Sequence, residues 1–179
     1  MWFAAVDALG GLEILVNSAA RSLLRPAEEV TWDEWNTLMD VNLRGPYFLC
    51  GHMARHCMAE SKPGAIVCLS STHGSAGLAL RSVYGVSKGG INQMMRALAI
   101  EWVEHGIRVN AVSPTTVMTE ARKAFLPEGP VRDRALSRIP TGRFPEPSEI
   151  NAAVRYLISD DAASVTGHVL NVDGGLLAE

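Results

Sequence analysis

The stretch of sequence that decides the fold reads IVCLSSTHGSAGLALRSVYGVSK, residues 66–88. A short apolar run, typical of a buried strand, leads into two serines, a glycine-rich loop and a segment of helical character. Tyr84 and Lys88 are four residues apart, so on a helix they lie on one face, one turn from each other. Ser71 follows the strand, and open α/β sheets bind ligands at the carboxyl ends of their strands. The stretch therefore predicts a strand, a loop and a helix that bring three reactive side chains together.

Further strand-length apolar runs lie on either side of this unit, separated by amphipathic segments of helical length. Four strands are predicted, at Glu13–Asn17, Ala65–Ser70, Arg108–Ser113 and His168–Val172. Strands that alternate with helices are typical of a parallel sheet covered by helices on both faces. The fold class is therefore predicted to be α/β.

Capping residues and apolar spacing locate the helices. Thr31 and Glu34 fit a capping box, which predicts a helix that runs to about Asp40. Three longer helices are predicted over residues 43–60, 82–104 and 148–159. The segment 116–147 contains five prolines and is predicted to be loop and short helix, either a substrate lid or a surface insertion.

The composition narrows the class of protein. A chain of 179 residues with 47% hydrophobic and 20% charged side chains suits a single globular domain. The net charge is −3, and no basic block indicates nucleic acid. Three cysteines without metal-ligand spacing predict buried thiols in a reducing compartment and no metal site. Residues 1–20 lack Lys and Arg, and no stretch suits a membrane span, so a cytoplasmic protein is expected.

Ser71, Tyr84 and Lys88 have a coherent chemical interpretation. A free tyrosine has a pKa of about 10 and is a poor proton donor or acceptor near neutrality. A lysine ammonium one turn away favours the phenolate and lowers that pKa, and a serine hydroxyl can hold a substrate oxygen in line with the phenol. The trio could then protonate an oxygen that receives a hydride. The alternative is a chance Tyr–Lys pair, which follows if the helix starts only after Gly90.

Ser71, followed thirteen residues later by the Tyr84-x-x-x-Lys88 motif, resembles the classical short-chain dehydrogenase/reductase family. The similarity extends over residues 10–176 with its motifs in order. The matching segments are residues 15–20 (LVNSAA), 41–43 (VNL), 108–114 (RVNAVSP) with Thr119, 166–167 (TG) and 172–175 (VDGG). The resemblance implies a Rossmann-type fold and an NAD(P)-dependent oxidoreductase that acts on a secondary alcohol or ketone.

The resemblance also implies a role for each matching residue of the reaction centre. Tyr84 would be the acid/base, Ser71 would orient the substrate oxygen, and Lys88 would lower the tyrosine pKa and bind the nicotinamide ribose. Asn42 would anchor a water of the proton relay, although an amide that bonds backbone at a helix terminus fits the sequence equally well.

Other matching residues would hold NAD or NADP. Thr119 would contact the nicotinamide carboxamide, or simply cap the helix that follows it. Pro114 and Val117 would line the same face of the cofactor. Asn17 and Ala19 would border the ribose on the adenosine side.

The substrate is expected to be a sugar acid, a polyol or a 3-oxoacyl thioester. His73 and Thr115 would add to a polar pocket wall beside Ser71 and Tyr84, although a loop histidine is usually just solvated. A hydrolase built on Ser71 and His73 is a weak alternative, because no G-x-S-x-G motif surrounds the serine. The resemblance further implies a homodimer or homotetramer built through the helices at 43–60 and 82–104.

The sequence departs from the family where the cofactor phosphates would lie. A dinucleotide site needs a glycine-rich turn after the first strand, and Gly10-Gly11 is instead a turn that leads into the Glu13–Asn17 strand. The family's Asn-Asn-Ala-Gly is replaced by Asn-Ser-Ala-Ala at residues 17–20, and its Ser-Pro-Gly by Ser-Pro-Thr at 113–115. The chain is thus expected to be an N-terminally truncated form that keeps strands 4-5-6-7 of the family's sheet. Whether it is an active enzyme, or a non-catalytic remnant or assembly partner that binds no dinucleotide, stays open.

Overall fold

All four predicted strands form, and they pair in parallel in their order along the chain. The computed structural model describes residues 2–178, apart from the side chains of residues 3, 121, 123 and 125. The sheet has the order β1-β2-β3-β4, with β1 at Ile14–Asn17, β2 at Gly64–Leu69, β3 at Ile107–Pro114 and β4 at Val169–Val172. The predicted α/β class and contiguous four-strand sheet are confirmed.

The helices follow the predicted pattern, with one addition at the start of the chain. The helix α1 had not been predicted and ends at the Gly10-Gly11 turn, where the Gly11 amide donates to Val6 O over 3.1 Å. The α-helices are α1 (Trp2–Leu9), α2 (Trp32–Met39), α3 (Gly45–Glu60), α4 (Ser82–Trp102), α5 (Glu120–Phe125), α6 (Pro130–Leu136) and α7 (Pro147–Ile158). The capping box at Thr31 and Glu34 is present. None of the helices in the described part of the chain is long and apolar enough to cross a membrane.

The predicted break between the helices at 40 and 43 does not occur. Asp40–Arg44 is a π-helical turn that joins α2 directly to α3. The wider turn carries Asn42 with its side chain buried. π-Helical turns of this kind are frequent at functional sites.

The sheet is covered by helices on both faces because consecutive strand residues point to opposite sides. Ile66 and Cys68 of β2 pack with α3 and α4, in a core that includes Met53 and Met95. Val67 lies on the other face and packs with Leu157 of α7. Strand β1 lies at the edge of the sheet and pairs only with β2 among the described residues.

Candidate active site

The carboxyl ends of the four parallel strands lie at one edge of the sheet, and this edge carries the predicted reactive residues. Strand β2 ends at Leu69, and Ser71 then opens a 3₁₀ turn over Thr72–Gly74. The Ser71 hydroxyl accepts a hydrogen bond from His73 N at 3.2 Å, which fixes the serine at the start of the turn. Ser71 and Thr72 are buried, so the start of this loop is packed against the protein.

Helix α4 begins at Ser82 rather than after Gly90, so Tyr84 and Lys88 do share one helix face. The loop after β2 lies directly on this helix, because a Cβ added to Gly74 would lie 2.7 Å from the Lys88 carbonyl carbon. The close approach brings His73 edge-to-face with Tyr84, at 6.0 Å between ring centroids. The Ser71 hydroxyl also lies near enough to Tyr84 to lower the pKa of its phenol. The predicted Ser–Tyr–Lys trio is therefore assembled in space.

Lys88 is buried close to the tyrosine. Its Nζ donates a hydrogen bond to Leu69 O at 2.6 Å and lies 5.7 Å from the centroid of the Tyr84 ring. Burial lowers the pKa of Lys88 to about 8, because the interior disfavours the charged ammonium.

The electrostatics of Tyr84 differ from the sequence-based expectation. Burial raises the pKa of its phenol. The Ser71 hydroxyl and the positive charges of Arg81 and Arg122 oppose that rise in the pKa, since each favours the phenolate. Lys88, which the sequence predicts to lower this pKa, is not among these groups.

Asn42 connects the π-helical turn to the helix that carries Tyr84. Its Oδ1 accepts from Arg21 N at 2.7 Å, and its Nδ2 donates to Arg21 O at 2.9 Å and to Ser87 Oγ at 3.1 Å. The Ser87 hydroxyl in turn donates to Tyr84 O at 2.7 Å. Asn42 thus reaches the tyrosine through Ser87, a residue that the sequence analysis missed.

The residues expected to line the cofactor occupy the same edge of the sheet but differ in their contacts. Asn17 ends β1, and its Nδ2 donates to Cys50 Sγ at 3.5 Å and Cys68 Sγ at 3.3 Å. Thr119 caps α5 by accepting from Arg122 N, which is the alternative role considered from sequence.

The remaining predicted residues lie at strand ends or in the loops that follow them. Pro114 closes β3, Thr115 and Val117 are half-buried in the loop after it, and Ala19 is exposed after β1. Within the described residues, no cluster of three His, Cys, Asp or Glu side chains could hold a metal ion.

Three arginines that influence His73 were not predicted from the sequence. Arg81, Arg122 and Arg138 come from separate segments, and all three act electrostatically on His73. The available signal was the abundance of arginine, which accounts for 13 of the 16 basic residues. Composition cannot place side chains in space, so only the fold shows that these three converge.

Comparison with known proteins identifies the family of the chain. A family model described as enoyl-(acyl carrier protein) reductase matches residues 1–177. The match begins at residue 1 and does not bear out the expectation that the chain lacks an N-terminal part of the family. D-threitol dehydrogenase of Mycolicibacterium smegmatis is 41% identical over 177 residues, which cover 96% of this chain and 67% of that protein.

Two solved structures are similar along almost the whole chain. A protein of Sinorhizobium meliloti 1021 described as a short-chain alcohol dehydrogenase has a TM-score of 0.93 and 40% identity, covering 99% of this chain and 70% of that one. Gluconate 5-dehydrogenase from Burkholderia cenocepacia J2315, in complex with NADP and tartrate, has a TM-score of 0.91 and 29% identity, covering 98% and 69%. The chain belongs to the short-chain dehydrogenase/reductase family.

Proposed function

We propose that this chain is an NAD(P)-dependent oxidoreductase that moves a hydride between nicotinamide and a secondary alcohol or ketone, with Tyr84 as the acid/base. The observation that carries the proposal is the placement of Tyr84 one helical turn from the buried Lys88, whose Nζ lies 5.7 Å from the centroid of the tyrosine ring, with the loop of Ser71 and His73 beside it. In the oxidation direction the phenolate of Tyr84 takes the hydroxyl proton, while Ser71 holds the same oxygen. In the reduction direction the phenol returns that proton to the oxygen.

Lys88 and Asn42 support this proton transfer in different ways. Within the described part of the chain the Lys88 ammonium has one acceptor, Leu69 O, which leaves N–H donors for a ribose hydroxyl. Asn42 fixes the helix turn of Tyr84 through Ser87. The Asn42 Oδ1 has a second lone pair beyond its bond with Arg21 N, which suits the relay water implied by the family.

The donors at this edge fit the nicotinamide half of NAD or NADP, which supplies the hydride acceptor or donor when bound. Tyr84 and Lys88 would bind its ribose, and Pro114, Val117 and Thr119 would line its nicotinamide. Asn17 and Ala19 would border the ribose on the adenosine side. The 179 residues contain no glycine-rich phosphate loop before β1, so we expect weak binding of either dinucleotide by this chain.

The substrate class we propose is a polyol or a sugar acid. The pocket wall beside Tyr84 would be polar, formed by Ser71 and His73 on one loop and by Thr115 after β3. Similar proteins include a threitol dehydrogenase and a gluconate 5-dehydrogenase with bound tartrate, whose names describe hydroxylated compounds. The segment 116–147, with α5 and α6, would form the lid over this substrate.

Turnover of a panel of polyols and sugar acids with NAD and NADP tests the proposed reaction. We expect Tyr84→Phe to lose at least about a hundredfold in kcat while it stays folded, because the ring remains and the acid/base is removed. Tyr156→Phe is a matched control, since this exposed tyrosine lies on α7. Unchanged turnover in Tyr84→Phe would remove Tyr84 from the mechanism.

Calorimetric titration with NADH and NADPH tests cofactor binding separately from turnover. Micromolar affinity would overturn our expectation of weak binding. Absence of both binding and turnover would favour the alternative, a non-catalytic remnant or assembly partner.

We further propose that the chain forms homodimers or homotetramers through α3 and α4. Tyr47 and Phe48 on α3 are 52% and 59% exposed, and they border a groove of about 290 Å³ that is completed by residues of α2 and the π-helical turn. Exposed aromatic side chains of this kind are typical of protein interfaces. Light scattering of wild type and of Phe48→Glu gives the molar mass, and an unchanged mass in the variant would argue against this surface.

A further inference from the structure

Positive charge is concentrated around the proposed reaction centre. The Arg81 guanidinium carbon lies 6.0 Å from the centroid of the Tyr84 ring. The positive charge of Arg122 on α5 lowers the pKa of the same phenol. The charges of Arg81, Arg138 and Arg122 also lower the pKa of His73. These arginines come from the start of α4, from α5 and from the turn after α6, so the folded chain gathers them from three separate elements.

No acidic side chain neutralises these three arginines within the described part of the chain. Arg81 donates from Nη1 to the neutral hydroxyl of Ser22, and its Nε is buried without a partner. Neither Arg122 nor Arg138 forms an ion pair with a described residue.

Two other arginines of the segment 116–147 form ion pairs with carboxylates. Arg143 makes a bidentate contact with Glu149 at 2.7 and 2.8 Å. Arg132 pairs with Glu128 at 3.5 Å. Arg122 and Arg138, like the exposed Arg134 of α6, form no such pair with a described residue, whereas Arg81 is distinguished by a buried Nε without a partner beside Tyr84.

An unpaired cluster of this kind costs free energy in the folded chain. Burial of Arg81 and the charge of Arg122 both lower the pKa of the Arg81 guanidinium, which shows that its charged form is disfavoured. A buried N–H without an acceptor adds a further penalty. The chain as a whole carries a net charge of −3, so a general excess of basic residues does not explain the cluster. A cleft lined by one sign of charge attracts ligands of the opposite sign.

We propose that the substrate carries an oxyanion, and that Arg81, Arg122 and Arg138 bind it beside the hydroxyl or carbonyl held by Ser71 and Tyr84. This inference rests on the proposed function for the reacting oxygen, but the anion site itself does not depend on turnover. Guanidinium groups match the planar geometry of a carboxylate and also bind phosphate. The substrate is thus a hydroxylated acid, such as a sugar acid, rather than a neutral polyol.

A series of probes on one carbon skeleton tests this inference by binding. NMR titration compares D-gluconate, D-glucitol and D-glucitol 6-phosphate, which carry a carboxylate, no charge and a phosphate. We expect D-gluconate to bind at least about tenfold more tightly than D-glucitol, a difference typical of a charge-assisted hydrogen bond. Tighter binding of the phosphate than of the carboxylate would support the oxyanion site and identify phosphate as its ligand. Equal binding of all three probes would overturn the inference.

Arginine variants test whether the preference for D-gluconate over D-glucitol depends on Arg81, Arg122 and Arg138. Arg122→Gln and Arg138→Gln change exposed side chains and are expected to fold normally, and each should weaken D-gluconate binding several-fold while leaving D-glucitol binding unchanged. Arg134→Gln, on the exposed face of α6, is the matched control and should have no effect. Arg81→Gln should have the largest effect, with its folding checked by circular dichroism. If neither exposed variant changes D-gluconate binding, these arginines are not the anion site.

Kinetics distinguish a failure of this inference from a failure of the proposed function. In a turning-over enzyme the Arg122→Gln change should raise KM for D-gluconate more than it lowers kcat. If D-glucitol is turned over as efficiently as D-gluconate, the inference of an anionic substrate is wrong, whereas the proposed oxidoreductase function is retained. Arginine-dependent binding of D-gluconate without any turnover would retain the anion site and overturn the oxidoreductase.

Discussion

At the scale of single residues, the candidate site depends on polar side chains that are buried and hydrogen-bonded. Asn42 and Lys88 are only 1% and 2% exposed, yet each has named partners in the backbone of another element. Buried polar groups are tolerated when they are satisfied in this way and are costly when they are not. Both residues therefore contribute to the fold as well as to the proposed chemistry, and stability measurements can separate the two contributions.

Asn42→Ala should lower the free energy of unfolding by about 2 to 3 kcal/mol, because it removes hydrogen bonds to Arg21 and Ser87 and leaves a cavity. Urea unfolding monitored by circular dichroism measures the change. Asn36→Ala on the exposed face of α2 is the matched control and should change stability by less than about 0.5 kcal/mol. An equally small effect in Asn42→Ala would contradict the bonding described here.

Lys88 should make stability depend on pH in the alkaline range. The pKa of Lys88 is about 8 in the folded chain, against 10.5 ordinarily, so between these values the unfolded chain binds more protons. Stability should then rise with pH across this window, by up to about 3 kcal/mol from this residue. Unfolding of wild type and Lys88→Met at pH 7 and pH 10.5 isolates the effect. We expect the wild type to gain stability relative to the variant at the higher pH. If the difference in their free energies of unfolding is the same at both pH values, the pKa of Lys88 is not lowered in the folded chain.

At the scale of elements, the loop after β2 and helix α4 act as a unit because glycine permits their contact. A Cβ at Gly74 would meet Lys88 C at 2.7 Å and Asn92 Nδ2 at 2.8 Å. Ser70 reinforces the same junction, since its hydroxyl lies 3.2 Å from Lys88 O and 2.5 Å from Asn92 Oδ1. The distance between Ser71 and Tyr84 is therefore set by backbone packing.

Gly74→Ala should destabilise the chain by about 2 kcal/mol, because two of the three obstructing atoms, Lys88 C and O, belong to the α4 backbone and cannot rotate away. It should also weaken the Ser71–Tyr84 contact, which would appear as an altered pH dependence of Tyr84 absorbance. Gly77→Ala in the same loop meets no atom within 4 Å and serves as the control. Similar stability of the two variants would show that the loop does not rest on α4.

The elements themselves were largely predictable from sequence, and the exceptions have physical causes. The strands and α4 carry strong apolar patterns, and the capping box marks the start of α2. The π-helical turn at Asp40–Arg44 could not be foreseen, because a single wide turn leaves no periodic signal. The convergence of Arg81, Arg122 and Arg138 depends on tertiary structure, and no local pattern shows it.

At the scale of the whole molecule, β1 is the least protected part of the sheet. Ile14 and Val16 on this strand are 48% and 41% exposed, and the side of β1 away from β2 pairs with no described strand. Exposed apolar edge strands are templates for pairing with other chains. The edge is distinct from the α3 and α4 surface proposed for homo-oligomers.

Val16→Lys should reduce aggregation of the purified chain at high concentration, because a charge on the edge opposes strand pairing. Turbidity measured against protein concentration is the readout. Val131→Lys, on the 75% exposed Val131 of α6, adds the same charge elsewhere and should have little effect. If both variants reduce turbidity equally, net charge rather than the β1 edge controls aggregation.

Labelling of the three cysteines can measure how often the folded chain opens locally. Cys50 and Cys57 on α3 and Cys68 on β2 are all free thiols with 0–1% exposure. A thiol reagent can reach them only when α3 separates from the sheet, so the labelling rate measures how often that layer opens. Cys68 lies beneath Asn17 on one face of β2, and its rate relative to Cys57 would show whether the layer opens as a whole or from the far end of α3. The native thiols that fill the core therefore allow its opening rate to be measured without an introduced label.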